Sequence, residues 1–252
     1  MIFKSDFSTK RNSIFILNIL VFSFGILLNL IGFLGNDYWL DGVKIQIARN
    51  IFISVGCSLI ATAIVTFFYS KYQNRIDRMR ELVYTWGLEN IYETRAIMNE
   101  VADKKQLVAK KSLDAIGFGF SSWRLHKNSE VIAMLKRGVK IRILSPSPDS
   151  PFLDQRDLDE DEEQGRTAST IRHLEHWVQD LSSYGDIELR HYTALPLDFY
   201  FRIDDTLFIG PYMYKQQSQH TVSYEFSKNG KMYSDYTEYF EKIWEVAEPF
   251  QF

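Results

Sequence analysis

The chain has 252 residues, of which 46% are hydrophobic, with a formal net charge of -3 and one cysteine. That charge gives no basis for nonspecific binding of long nucleic acid, which needs many unopposed cations, and one cysteine excludes an intramolecular disulfide framework. The slightly negative mean hydropathy would suit a water-soluble protein, but the apolar residues are concentrated at one end.

Ile14–Leu34 is uncharged and apolar apart from Asn18, Ser23 and Asn29, and 51–69 is a second uncharged run. Each approaches the roughly 20 residues that a helix needs to cross a hydrocarbon core of about 30 Å. In lipid all backbone groups must pair within the segment, so both are predicted to be helices. A cleaved signal peptide has a shorter apolar core and no second span close behind it. Residues 1–70 therefore read as a transmembrane hairpin. Lys4, Lys10 and Arg11 precede the first span and Lys71, Arg75, Arg78 and Arg80 follow the second. By the positive-inside rule both termini are expected in the cytoplasm, with Tyr38 and Trp39 as interfacial aromatics. Cys57 lies inside the second span.

Asn18, Gly25, Asn29 and Gly32 recur at offsets that keep them on one helix face. Asn50, Ser54, Ser58 and Ala61 form a similar stripe on the second span. Small residues let helices approach closely, and amides can bond between helices in lipid. Two readings stay open: helix packing in a hairpin or oligomer, or a pore lined by Asn18 and Asn29. No charged residue lies in the apolar cores, against a proton-coupled transporter. Two spans enclose a pathway only in an assembly of several copies.

The charged, amphipathic stretch 71–102 is expected to be a helical connector. Residues 103–252 read as one cytosolic α/β domain, a normal size for a single core. Leu107–Lys111 is expected to be helical and Ser112–Phe120 a buried strand. Ser129–Arg137 reads as a helix stopped by Gly138, and Val139–Leu144 as a strand of alternating apolar and basic residues. The segment 145–165 holds three prolines and the acidic run 157–163, expected to be a solvated, mobile loop. Its spacing does not match a calcium loop, and no metal or cofactor is expected. Thr167–Ser182 is an amphipathic helix. Ile187–Tyr192, Phe199–Ile203, Thr206–Ile209 and His220–Phe226 read as strands, Asp204-Asp205 as a tight turn, and Met232–Ala247 as a closing helix.

Three stretches carry a resemblance: Trp86–Arg95 with Ala109–Gly117, Leu135–Leu144 and Leu197–Gly210. Together they resemble one half of the phospholipase D-like fold over roughly residues 86–247. That family's signature is His-x-Lys-x4-Asp, with His as nucleophile and Lys on phosphate. Aligned on Asp204, Leu197 stands at the His position and Phe199 at the Lys position. An apolar Leu cannot act as a nucleophile, so the expectation is a non-enzymatic, catalytically degenerate domain. The resemblance implies a phosphate-sized cleft completed by a second copy, hence a homodimer or a higher, tetramer-like assembly. Candidate ligand residues are Ser121, Ser122 and Arg124 after the first strand, Ser145 after the second, and His191, Arg202, Tyr212 and His220 from later elements. Strand ends are the usual ligand crevice of open α/β sheets, Arg suits phosphates and aromatic rings suit bases.

The architecture is similar to bacterial anti-phage membrane effectors, the effector of the Hailong system being one parallel. It implies a nucleotide or short-oligonucleotide ligand, supplied by a nucleotide-synthesising partner enzyme, that controls an oligomeric channel or membrane disruption. Two other readings are kept: a membrane-anchored hydrolase working through His191 or His220, and a non-catalytic scaffold.

Overall fold

The computed structural model describes residues 3–34, 42–194 and 198–251, and of these the side chains of 3–14, 42–45 and 74 are left aside. The chain divides into two units, Met1–Met79 and Arg80–Phe252.

The first unit consists of α1 (Phe3–Leu34) and most of α2 (Gly42–Arg80). Both helices are long and apolar enough to cross a membrane, over Phe15–Leu34 and within Gln46–Thr85. The interfacial pair Tyr38 and Trp39 lies outside the described residues.

The second unit is a three-layer α/β arrangement around an eight-stranded sheet of order β1-β7-β6-β5-β2-β3-β4-β8. Its centre is parallel: β2 (Ser112–Ile116) pairs with β3 (Lys140–Pro146), and β3 with β4 (Ile187–Tyr192). An antiparallel meander follows on the other side of β2, formed by β5 (Asp198–Ile203), β6 (Thr206–Pro211) and β7 (Ser223–Ser227). Edge strands β1 (Leu88–Tyr92) and β8 (Glu248–Pro249) close the two sides.

Alternation along the strands sends neighbours to opposite faces, and each face is covered differently. Phe199, Phe201 and Ile203 join one core with residues of α3 (Arg95–Val108), α4 (Ser121–His126), α5 (Asn128–Lys136) and α7 (Arg166–Leu181). Tyr200, Leu207 and Ile209 join a second core under α8 (Lys231–Val246), with Phe240 and Trp244. A short helix, α6 (Leu153–Asp159), lies between β3 and α7 in the chain.

Several expected elements differ. The stretch 71–102 is not one helix: α2 ends at Arg80, a single π-helical turn covers Glu81–Thr85, and β1 and the start of α3 follow. Glu89 and Asn90 are poor strand formers, and tertiary pairing overrides them: β1 bonds to β7, and the Asn90 and Tyr92 side chains both donate to Glu225. Residues 107–111 hold the end of α3 and a short link rather than a helix of their own. The strand expected over 112–120 stops at Ile116, where Gly117–Phe120 turns away. The strand expected from His220 begins at Ser223, because 218–220 form a 3-10 turn.

The acidic run is the largest correction. It is expected to be a solvated, mobile loop, and Asp161 and Glu163 are exposed, yet the run begins inside α6 and Asp157 is 1% exposed. Its carboxylate accepts from the Gly165 and Thr167 amides (2.7 and 2.9 Å) and from the Thr167 hydroxyl. It thereby satisfies orphan N–H groups at the start of α7, and the run forms a fixed elbow between α6 and α7.

Candidate functional site

A cleft of about 340 Å³ opens where β2 ends and β5 begins. The loop Gly117–Phe120 forms one wall. It runs so close to α7 that a Cβ on Gly119 would fall 2.2 Å from Thr170 Cγ2, so only glycine fits there. Ser145 and Arg124 hold this loop: the Ser145 hydroxyl donates to the Phe118 carbonyl (3.1 Å) and Arg124 Nε to the Gly119 carbonyl (2.9 Å). Helix α6 contributes Arg156, the elbow after it contributes Glu160 and Glu162, and the turn before β7 contributes Ser218 and Gln219.

Two buried arginines define the interior, Arg95 at 6% exposure and Arg156 at 5%. Arg95 follows Thr94, whose hydroxyl caps α3 by accepting from the Ile97 amide (3.3 Å). Its guanidinium lies 4.4 Å from the Phe199 ring centre and 5.1 Å from that of Tyr212. That of Arg156 lies 4.5 Å from Tyr212 and 5.2 Å from Phe118. Such cation–ring contacts strengthen when desolvated. The Phe118 and Tyr212 rings meet edge to face at 5.0 Å.

The two arginines differ in partners. Arg156 pairs with Glu160 and donates to the Ser218 hydroxyl (2.7 Å). Arg95 Nη2 reaches only neutral oxygens, the Thr221 hydroxyl (3.2 Å) and the Pro211 and Gly210 carbonyls (3.4 and 3.5 Å). Its Nε is buried without a hydrogen-bond partner, and no carboxylate lies within ion-pair distance of it among the described residues. Burial pushes the Arg95 guanidinium below its usual value and pushes the Tyr212 phenol up, the latter against the pull of both arginines. The other cations of the lining are neutralised, Lys127 by Asp103 (2.9 Å) and Arg166 by Glu162 (2.6 Å). The cleft is therefore aromatic-walled with one uncompensated positive charge among the described residues.

Of the residues singled out from sequence, Ser121, Ser122 and Tyr212 line the cleft. Arg124 and Ser145 support its loop. Arg202 lies on the opposite face of the sheet, bonded to Asp114 and to the Tyr233 hydroxyl (3.3 Å). His191 sits against the Pro146 carbonyl (3.2 Å) and Glu175 (3.0 Å), and exposed His220 lies next to Gln219; neither lines the cleft. Phe199, at the position where the resemblance expects Lys, lies under Arg95. Leu197 is outside the described residues. Asp204 sits at the far end of β5 and accepts from three successive amides, Lys110, Lys111 and Ser112 (2.8–3.0 Å). Sequence reasoning missed Arg95, Arg156, Glu160 and Ser218. The one available signal was a Thr-Arg pair at a helix start.

In the first unit the small and polar stripe of α1 lies against α2. Asn18 donates to the Ala63 carbonyl (3.0 Å), Asn29 donates to the Gly25 carbonyl (2.9 Å) and accepts from Cys57 Sγ (3.4 Å), and the Gly32 carbonyl accepts from Arg49 (3.0 Å). A Cβ on Gly56 would come within 2.8 Å of the Gly25 carbonyl, so these glycines set the helix approach. Ser54 and Ser58 take part in bonds within α2, Ser58 to Ser54 O (2.8 Å) and Thr62 to Ser58 O (2.7 Å).

No protein-family model matches the chain, and no curated protein matches it. Among solved structures it is similar to TrmBL2, an archaeal chromatin protein, at 15% identity over 80% of this chain and 69% of that one, TM-score 0.41. NucT from Helicobacter pylori is 12% identical over 64% of this chain and 98% of that one, TM-score 0.40. Phosphatidylserine synthase from Haemophilus influenzae Rd KW20 is 8% identical over 77% of this chain, TM-score 0.43, and the chain spans only 47% of its length. Likeness at this distance decides neither family nor chemistry.

Proposed function

We propose that the chain is a membrane-anchored effector whose phospholipase D-like unit binds a nucleotide or short oligonucleotide without turning it over. Binding controls an oligomeric channel or membrane disruption by the two helices. One observation carries this reading: Arg95 is buried, lacks a carboxylate partner among the described residues, and faces an aromatic-walled cleft. Phosphate supplies the missing anion and a base supplies a ring for Tyr212, Phe118 or Phe199 to stack on. The cleft volume is at the low end of small-molecule sites, roughly 300–1,000 Å³. It suits one nucleotide unit, free or at the end of a short strand.

Two features support a binding rather than a hydrolytic role. Phe199 stands where the resemblance expects a phosphate-binding Lys, and the two histidines that a hydrolase would draw on lie away from the cleft. The remaining parts of the proposal follow the architecture. The protein resides in a bacterial inner membrane with both termini cytoplasmic, as a homo-oligomer because two helices enclose no pathway alone. It acts in anti-phage defence, and a nucleotide-synthesising enzyme supplies the ligand. For ligand to gate the helices it must bind one membrane state better than the other.

The test uses the full chain in detergent micelles with mono-, cyclic and short oligonucleotides, read by thermal shift and calorimetry. At least one ligand is expected to bind, and Arg95→Ala to weaken it by about 10–100-fold, the scale of losing charge-assisted hydrogen bonds. No binding by any member of the panel, or binding indifferent to Arg95, overturns the reading. On the membrane side, reconstituted wild type is expected to conduct when ligand is added and Asn29→Leu to alter that conductance. An unchanged conductance would remove the pore.

A further inference from the structure

Glu160 collects three donors on one carboxylate oxygen. Its Oε1 accepts from Arg156 Nη2, from the Ser218 amide (3.1 Å) and from the Ser218 hydroxyl (2.6 Å). Of these three donors the buried guanidinium is the one that pairs with a phosphate, and the amide and hydroxyl tie the carboxylate to the turn. Here one carboxylate from the α6–α7 elbow takes all three. The elbow is itself fixed through Asp157, so Glu160 is delivered by a rigid support.

The contact reaches the uncompensated arginine. The Thr221 hydroxyl donates to the Ser218 carbonyl (2.9 Å) and accepts from Arg95 Nη2 (3.2 Å). Residues 218–221 thus run from Glu160 and Arg156 at one end to Arg95 at the other. This turn leads directly into β7.

We propose that Glu160 is an internal carboxylate latch: it fills the second anion position of the cleft and closes the 218–221 turn until a ligand with two anionic groups displaces it. This rests on reading the cleft as an anion site. One group of the ligand pairs with Arg95 and the other replaces Glu160 on Arg156, where two anions cannot share one guanidinium face without repulsion. A ligand with a single anionic group binds at Arg95 alone and leaves the latch closed. The displaced carboxylate frees the Ser218 amide, so binding is signalled as a change in this turn. No covalent step is involved.

Pyrophosphate is the probe, with inorganic phosphate for comparison, on the full chain in micelles without divalent metal. Glu160→Gln keeps the shape and removes the charge, and is expected to bind pyrophosphate roughly tenfold more tightly than wild type, the scale of one charge-assisted hydrogen bond. Ser218→Ala leaves the carboxylate but removes one of its bonds, and is expected to give a smaller gain; it serves if Glu160→Gln does not fold. Hydrogen exchange on the wild type needs no variant: pyrophosphate is expected to speed exchange of the Ser218 amide, and inorganic phosphate to leave it unchanged. Pyrophosphate binding that depends on Arg95, combined with weaker or equal binding by Glu160→Gln or a better-protected Ser218 amide, overturns the latch and leaves the anion site standing. Failure of wild type, Glu160→Gln and Ser218→Ala alike to bind pyrophosphate overturns both.

Discussion

Two pairs of arginines are sunk into opposite faces of the same sheet, and they are treated differently. Under α8, Arg142 makes a two-pronged pair with Asp114 (2.8 and 2.9 Å) and another with Glu241 (2.9 and 2.7 Å), while Arg202 bonds the same Asp114. Two cations meet two carboxylates there. On the cleft face Arg156 pairs with Glu160 while Arg95 bonds only neutral oxygens, and aromatic rings take up the rest of their surface. Unmet donors do not separate the faces, since Arg95 and Arg202 each bury an Nε without a partner. Charge balance does. A neutralised pair repays its burial, whereas an unbalanced one beside open volume costs stability.

The largest effect that this contrast predicts is at Asp114, which is 0% exposed. Asp114→Asn leaves Arg202 without a carboxylate under α8 and Arg142 with Glu241 alone, and is expected to cost about 3–5 kcal/mol, the range for breaking a buried ion pair. Urea unfolding followed by tryptophan fluorescence measures it, and a loss below about 1 kcal/mol would erase the distinction between the faces.

A smaller but sharper test compares two substitutions of equal chemistry. Arg202→Met leaves Asp114 with one cation and is expected to cost about 1–3 kcal/mol. Arg95→Met removes an unbalanced charge while keeping contact with Phe199 and Tyr212, and is expected to stay within about 0.5 kcal/mol of wild type or to stabilise it. Equal losses at the two sites would show that the cleft arginine is structural too.

The smallest effect is in pH. The hydrogen bonds from Arg142 hold the Glu241 carboxyl below its usual value of 4.5, more strongly than burial raises it. A folded-state value below the unfolded one gives stability that is present above about pH 4.5 and is lost as pH falls through the folded value. Acid titration of unfolding is therefore expected to show a decline below pH 4.5 that flattens in Glu241→Gln. An unflattened curve would mean that Glu241 is incidental to the α8 face.

The layers were legible from sequence because alternation and amphipathic period are local signals: Phe199–Ile203, Thr206–Ile209 and the closing helix near Met232 fall where expected. The cleft was legible only in part. Ser121 and Tyr212 stand just past strand ends, which marks them. Arg202 looked equally suitable because it is an arginine on a strand near the family signature, but strand alternation turns it to the face away from Phe199 and Phe201. Arg95 was hidden inside a stretch whose charges and period read as one helix, since β1 forms only through pairing with a strand far along the chain. Asp157 and Glu160 were hidden by composition. An acidic run reads as solvated unless the amides and cations that it meets are known, and those come from α7, α6 and the 218–221 turn.

Asp204 stands where the resemblance expects the Asp of the signature, and its surroundings say what it does. Its backbone takes the left-handed conformation at φ 48, its amide bonds the Ser112 carbonyl (2.9 Å), and its carboxylate gathers the amides of Lys110, Lys111 and Ser112. This is a clamp on where β2 starts, at the opposite end of β5 from Phe199. Shifting 110–112 by one residue would move Leu113 and Ala115 off the cleft-side core and turn Asp114 out of its arginine cage. A substitution of Asp204 is therefore an assay of strand alignment, and lost function in such a variant would say nothing about surviving chemistry.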